Sequence, residues 1–189
     1  MKAEEHVKIP MARIAVLIGK NGETKSKIEN LTQTSIEIDS TDGIIHITNT
    51  PEAENPLAVW KARDIIKAIG RGFSPERALL LIDEEAYLSI IDLTTIFGRN
   101  TKAIKRIKGR IIGEAGKTRR LIEENTETAL SVYGTTISII GPINYLRIAK
   151  KAVTMLIDGM SHSNVYHFLY KKRTEMKKDR ADLWKIAPS

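Results

Sequence analysis

The chain has 189 residues, 42% of them hydrophobic, with 30 Lys and Arg against 23 Asp and Glu, a formal charge of +7 and no cysteine. That length accommodates one or two cores, the excess of base points to a polyanionic partner, and the missing cysteines exclude disulfides, Cys-ligated zinc and a thiol nucleophile. No apolar signal core opens the sequence and no stretch approaches the ~18 apolar residues of a membrane span, so a soluble cytoplasmic protein that meets no membrane is expected.

In chain order, Val7–Pro10 reads as an extended segment and Ala12–Leu17 as a short apolar helix. Gly19–Gly22 breaks that helix, and Glu23–Leu31 resumes it with Ile28 and Leu31 on the apolar face. Thr34–Asp39 alternates as a strand, Thr41–Gly43 turns, and Ile44–Thr48 returns as a second strand. A longer helix is expected from near Pro51 to Ile69. Ser74 and Pro75 are a cap and first-turn residue for a bridging helix to Ile82. Tyr87–Leu93 is a strand, Asn100 caps a helix over Thr101–Ile112, Gly113–Gly116 interrupts, and Lys117–Asn125 continues. Strands Ala129–Tyr133 and Thr135–Ile140 flank Gly134, a helix follows Pro142 from Asn144 to Leu156, and Ser163–Arg180 is an extra helix with a basic exposed face.

The order of elements repeats because the sequence repeats. Ile18–Ile38 (IGKNGETKSKIENLTQTSIEI) aligns without a gap on Ile112–Val132 (IGEAGKTRRLIEENTETALSV). Gly19, Gly22, Thr24, Ile28, Glu29, Thr32 and Thr34 recur as Gly113, Gly116, Thr118, Ile122, Glu123, Thr126 and Thr128. Two copies are too few for a solenoid and read as two tandem domains. The division expected is 1–72, a bridge over 73–85, 86–160, and a C-terminal extension over 161–189.

Each copy carries two glycines separated by two residues between short helices. Such a loop lets a ligand approach the backbone, and the next helix turns its free N–H groups and positive dipole end toward it. A sugar-phosphate strand suits that place, with Ile28, Ile36 and Ile38, and Ile122, Leu130 and Val132, as candidate groove walls for bases. The loops followed by T-[KR]-x-x-[IL]-[IE], two strands and a helix resemble the KH domain of type I. The fold expected is therefore α+β: two tandem type I KH domains (β-α-α-β-β-α), each a three-stranded sheet packed on three helices. A KH loop clamps about four nucleotides of single strand.

The similarity extends over nearly the whole chain. VKIPMARIAVLI from Val7, GRGFSPERALLL from Gly70 and RIKGRIIGEAGKT from Arg106 look like archaeal two-KH ribosome-assembly proteins related to the eukaryotic partner-of-Nob factor. That resemblance implies binding of single-stranded small-subunit ribosomal RNA near its 3′ end. It also implies association with the Nob endonuclease and a link to the alpha subunit of translation initiation factor two.

Charge separates the copies. Arg99 to Arg120 holds nine basic residues (Arg99, Lys102, Lys105, Arg106, Lys108, Arg110, Lys117, Arg119 and Arg120) and one acid, Glu114, for +8 net. Met11 to Thr32 holds four (Arg13, Lys20, Lys25 and Lys27) against Glu23 and Glu29, for +2. The second copy, with Ala115 completing its loop, is thus expected to dominate affinity, and the first, through Lys20 and Asn21, to contribute. Aromatic residues are only 5% of the chain, which disfavours a base-stacking platform. Trp60 and Trp184 are expected in packing roles.

Other chemistries find less support. GEAGKT at Gly113–Thr118 is half of a phosphate-binding P-loop, but the full pattern needs Gly where Ile111 stands. His6, His46, His162 and His167 form no ligand pattern in sequence, and the acids Asp83–Glu85 read as a charged helix end. No catalytic residue, metal or cofactor is assigned. A protein-docking scaffold with secondary RNA contact is the alternative.

Overall fold

The computed structural model describes residues 4–186 other than 54 and 56, with side chains described to residue 181. The first unit runs β1 (Glu4–Lys8), α1 (Met11–Ile18), α2 (Glu23–Thr32), β2 (Thr34–Asp39), β3 (Ile44–Asn49) and α3 (Ala58–Gly70). The bridge is α4 (Pro75–Ala78) followed by a 3-10 turn over Leu79–Ile82. The second unit runs β4 (Ala86–Asp92), α5 (Thr94–Phe97), α6 (Thr101–Ile112), α7 (Lys117–Thr126), β5 (Ala129–Tyr133), β6 (Thr136–Pro142) and α8 (Ile143–Ile157). A long helix, α9 (His162–Ile186), closes the chain. Each unit holds one antiparallel sheet, in the orders β1-β3-β2 and β4-β6-β5.

Alternation dictates the sheets. In β2, Thr34 and Ile36 turn inward while Ser35 and Glu37 face water. The repeated threonines terminate the preceding helices. Thr32 Oγ1 donates to the Ile28 carbonyl at 2.7 Å and pairs with Thr34 Oγ1, and Thr126 does the same with Ile122 and Thr128. Gln33 and Glu127 then take left-handed backbone, with φ of 51° and 48°, which reverses the chain into the strand. The repeated glutamates brace the start of that strand. Glu29 Oε1 accepts the Ile36 N–H at 2.8 Å, and Glu123 Oε1 accepts the Leu130 N–H at 2.7 Å.

Four sequence expectations need correction. Helix α3 begins at Ala58 rather than near Pro51. The Asn55–Pro56 dipeptide disfavours helical backbone, and Asn55 Oδ1 instead accepts the Leu57 N–H at 2.8 Å. Leu31 is 50% exposed, so Ile28 and Thr32 alone carry the buried face of α2. Trp60 is 49% exposed on α3 and packs into neither core, while the side chain of Trp184 lies outside the described residues. The bridge is helical only to Ala78 before it tightens. Its start is as expected, with Ser74 Oγ accepting the Arg77 N–H.

The sheets differ in what covers them. The outer face of the first sheet, carrying His6, Glu37 and His46, meets solvent. The outer face of the second, carrying Ala129, Ser131, Ser138 and Ile140, is buried, and Ala86, Ala129 and Ile140 join the first unit's core with Phe73, Ala78 and Leu81. Burying Ile140 contributes roughly 2–3 kcal/mol. Polar bonds fix the same seam. Ser131 Oγ donates to the Arg71 carbonyl at 2.9 Å, and Gly72 at φ 93° sits so close to Ser131 and Tyr133 that a Cβ there would collide with both. Arg13 donates to the carbonyls of Ile69 (2.8 Å) and Phe73 (2.6 Å) and lies over the Tyr133 ring, tying the end of α3 to the second sheet. Arg77 from α4 pairs with Glu123 on α7.

Helix α9 buries Val165 and Leu169 against the second core and leaves Lys171, Arg173, Lys177 and Lys178 exposed. Among the described residues no helix is long and apolar enough to cross a membrane.

Candidate nucleic-acid interface

The two glycine loops have nearly the same backbone. Gly19 and Gly113 open them at φ 74° and 73°, Asn21 and Ala115 come next at 53° and 47°, and Gly22 and Gly116 close them at 81° and 76°. The two glycines of each pair do different work. A Cβ on Gly19 or Gly113 would drive into Thr24 or Thr118, so the first glycine permits close packing within the loop. A Cβ on Gly22 or Gly116 would meet nothing within 4 Å, so the second glycine faces open space and serves the left-handed turn. Neither α2 nor α7 has a side-chain cap; a 3-10 turn through each loop takes up the first helical N–H instead, Glu23 donating to the Lys20 carbonyl and Lys117 to the Glu114 carbonyl. Substituting Gly113→Ala is expected to cost about 2–3 kcal/mol and Gly116→Ala about 1 kcal/mol, measured by urea unfolding. Equal costs would contradict this division of labour.

Around the second loop the basic residues divide into two groups. Lys108 Nζ donates to the Gly134 carbonyl at 2.7 Å, Arg110 donates to the Met160 carbonyl, and Arg119 lies 3.9 Å from Glu123. These three are engaged by groups within the fold. Lys102, Lys105, Arg106, Lys117 and Arg120 are exposed, with no internal partner among the described residues. In the first copy Lys20 and Asn21 are exposed, but Lys25 is engaged by Glu29 at 3.6 Å.

The aliphatic groove is not built as the sequence suggests. Ile28, Ile36, Ile122 and Leu130 are all 0% exposed, packed between helix and sheet, and support the loops from beneath without reaching a ligand. Of the six expected walls only Ile38 and Val132 are partly open, and Ile18 and Ile112, which immediately precede the loops, are also partly or wholly exposed.

The second loop also gains a wall that the sequence conceals. Arg106, Arg110, Gly113, Glu114 and Lys117 border a cleft of about 490 Å³ whose far side is His162 and Tyr166 of α9. Tyr166 shares a 2.7 Å hydrogen bond with Thr118, and His162 Nε2 stands 2.9 Å from the Arg110 carbonyl. No local pattern links residues 162 and 166 to a loop near 113. The segment before Gly113 is helix α6, where a P-loop requires a strand.

A KH-domain model matches residues 4–68 of the chain, and a eukaryotic-type KH-domain (type I) model matches residues 87–174. A KH domain-containing protein of Methanocaldococcus jannaschii is 47% identical over 184 residues, which cover 97% of this chain and 80% of that protein. The chain belongs to the two-KH-domain family homologous to Dim2 and PNO1. In this family the RNA-binding protein PNO1 of Oryzias latipes is 33% identical over 140 residues, and the match spans 57% of its length. A chain of the a/eIF2alpha-aDim2p-rRNA complex of Pyrococcus horikoshii is 53% identical, with a TM-score of 0.87 over 92% of this chain and 96% of that one. The second KH model reaches residue 174 and so takes in the first half of α9, which the sequence sets apart as an extension.

Proposed function

We propose that this KH protein binds single-stranded ribosomal RNA of the small subunit near its 3′ end, as a non-catalytic cytoplasmic factor in ribosome assembly. Gly113, Glu114, Ala115 and Gly116 pass the strand against backbone amides, while Arg106, Lys117 and Arg120 neutralise its phosphates. Lys108, Arg110 and Arg119 act by holding that surface in place. Gly19, Lys20, Asn21 and Gly22, with Lys25 behind them, form a weaker second site. The observation that carries this reading is the second loop itself: an open left-handed turn at a helix end without a side-chain cap, set among cations without internal partners among the described residues.

The wider partners rest on kinship. The Pyrococcus horikoshii relative was solved in complex with rRNA and the alpha subunit of initiation factor two, which supports both as partners here. The Nob endonuclease is proposed on resemblance alone.

The test is fluorescence anisotropy with an unstructured RNA oligonucleotide of the rRNA 3′ region. Ala115→Asp with Lys117→Asp places anions in the second loop without backbone strain, because Asp tolerates the left-handed region better than Ala. Affinity is expected to fall at least ~30-fold, against ~3-fold for Lys20→Asp with Asn21→Asp in the first loop. The docking-scaffold reading draws on the first copy's lower charge, and it gains if the first-loop variant loses a protein partner while RNA affinity holds.

A further inference from the structure

Forty residues separate His6 from His46, and nothing in the sequence joins them. The first sheet does. His6 on β1 stands directly opposite His46 on β3, and the rings meet edge to face with centroids 4.6 Å apart. Glu4 lies two residues before His6 on the same strand and therefore on the same face. Its Oε1 is 3.6 Å from His6 Nε2. One ligand atom from each of the three residues lies within 4.8 Å of the other two.

The geometry points to a transition-metal site of the zinc class on the open face of the first sheet, ligated by Glu4, His6 and His46. Zinc bonds of about 2.0–2.1 Å in a tetrahedron set ligand atoms ~3.3 Å apart. The Glu4–His6 pair is already near that separation, and rotamer adjustment of exposed side chains closes the remainder. Two imidazoles and a carboxylate are a donor set that zinc accepts, and the face is open to water for the fourth position.

Charge on this face favours a cation. Glu4, Glu37 and Asp39 share it with Lys8, an acidic patch on a chain of net charge +7. Glu37 stands opposite His46 on the other neighbouring strand, where it can orient the imidazole from outside the coordination sphere. The same charge repels a phosphate backbone, so this site is separate from the RNA surface. Its consequence is mechanical: two ligands sit on the edge strand β1 and one on the central strand β3, so a bound ion pins the edge strand to the sheet.

Untagged full-length protein, titrated with Zn²⁺ by calorimetry, is expected to take up one equivalent and to show a higher Tm. Co²⁺ in place of Zn²⁺ gives a visible d–d spectrum that reports imidazole ligation. His6→Ala and His46→Ala are each expected to weaken binding more than ~10-fold and to abolish the Co²⁺ signature. A variant carrying both His162→Ala and His167→Ala should bind as wild type. Unchanged RNA affinity of the metal-free variants verifies that they fold. The proposal is overturned if wild type takes up no equivalent below ~1 mM Zn²⁺, or if binding survives His46→Ala and disappears with His162 and His167.

Discussion

Replacing Arg106, Lys117 and Arg120 together with alanine should weaken binding to single-stranded RNA on the order of 100-fold near ~0.1 M salt. It should also flatten the plot of log K against log salt by about two, because each phosphate contact on a single strand contributes a slope of ~0.7. The choice of residues comes from the structure. Arg119 carries as much charge in sequence, but it rests against Glu123, and Lys108 and Arg110 donate to carbonyls. Removing those three would also break contacts within the fold, whereas the exposed triple isolates the electrostatic term. A slope identical to wild type would remove the second copy as the main grip on RNA.

The largest stability effect is expected at Glu123, and the repeat supplies its own control. Glu123 and Glu29 hold equivalent positions and each accepts a strand N–H. Glu123 alone is also the partner of Arg77 from the bridge, and it is only 16% exposed. Glu123→Ala therefore leaves the Leu130 N–H unsatisfied and strips Arg77 of its counter-charge, a combined cost of roughly 2–4 kcal/mol. Glu29→Ala removes the strand brace and an exposed pair with Lys25, for roughly 1–2 kcal/mol. Urea unfolding monitored by circular dichroism measures both. Equal losses would mean that the Arg77–Glu123 contact adds nothing across the seam.

Much of the architecture was legible because the signals were local. Two glycines at a fixed spacing, Asn100 as a cap and Ser74 before Pro75 each act within a few residues. The repeat misled in an instructive way. Several of its identities, Thr32 with Thr126 and Glu29 with Glu123, serve helix ends and strand starts and not the ligand. Ile28, Ile122 and Leu130 likewise lie in the two cores, whose needs the repeat records. Features that depend on distant segments meeting left no trace in the sequence. Tyr166 reaches Thr118 only because α9 folds back over α7, and His6 finds His46 only through strand register. The partnering of individual cations is equally invisible in a count of charges.

The unequal covering of the two sheets bears on how the molecule is made. The amino-terminal sheet leaves its outer face to solvent, yet the core beneath it is completed by Ala86, Ala129 and Ile140 of the other unit. Neither unit therefore closes its apolar surface alone. Released as a separate fragment, the carboxy-terminal unit would present Ala129 and Ile140 to water, and the amino-terminal one would lose those side chains from beside Phe73, Ala78 and Leu81. Maturation is therefore mutual, each half supplying part of the surface on which the other closes.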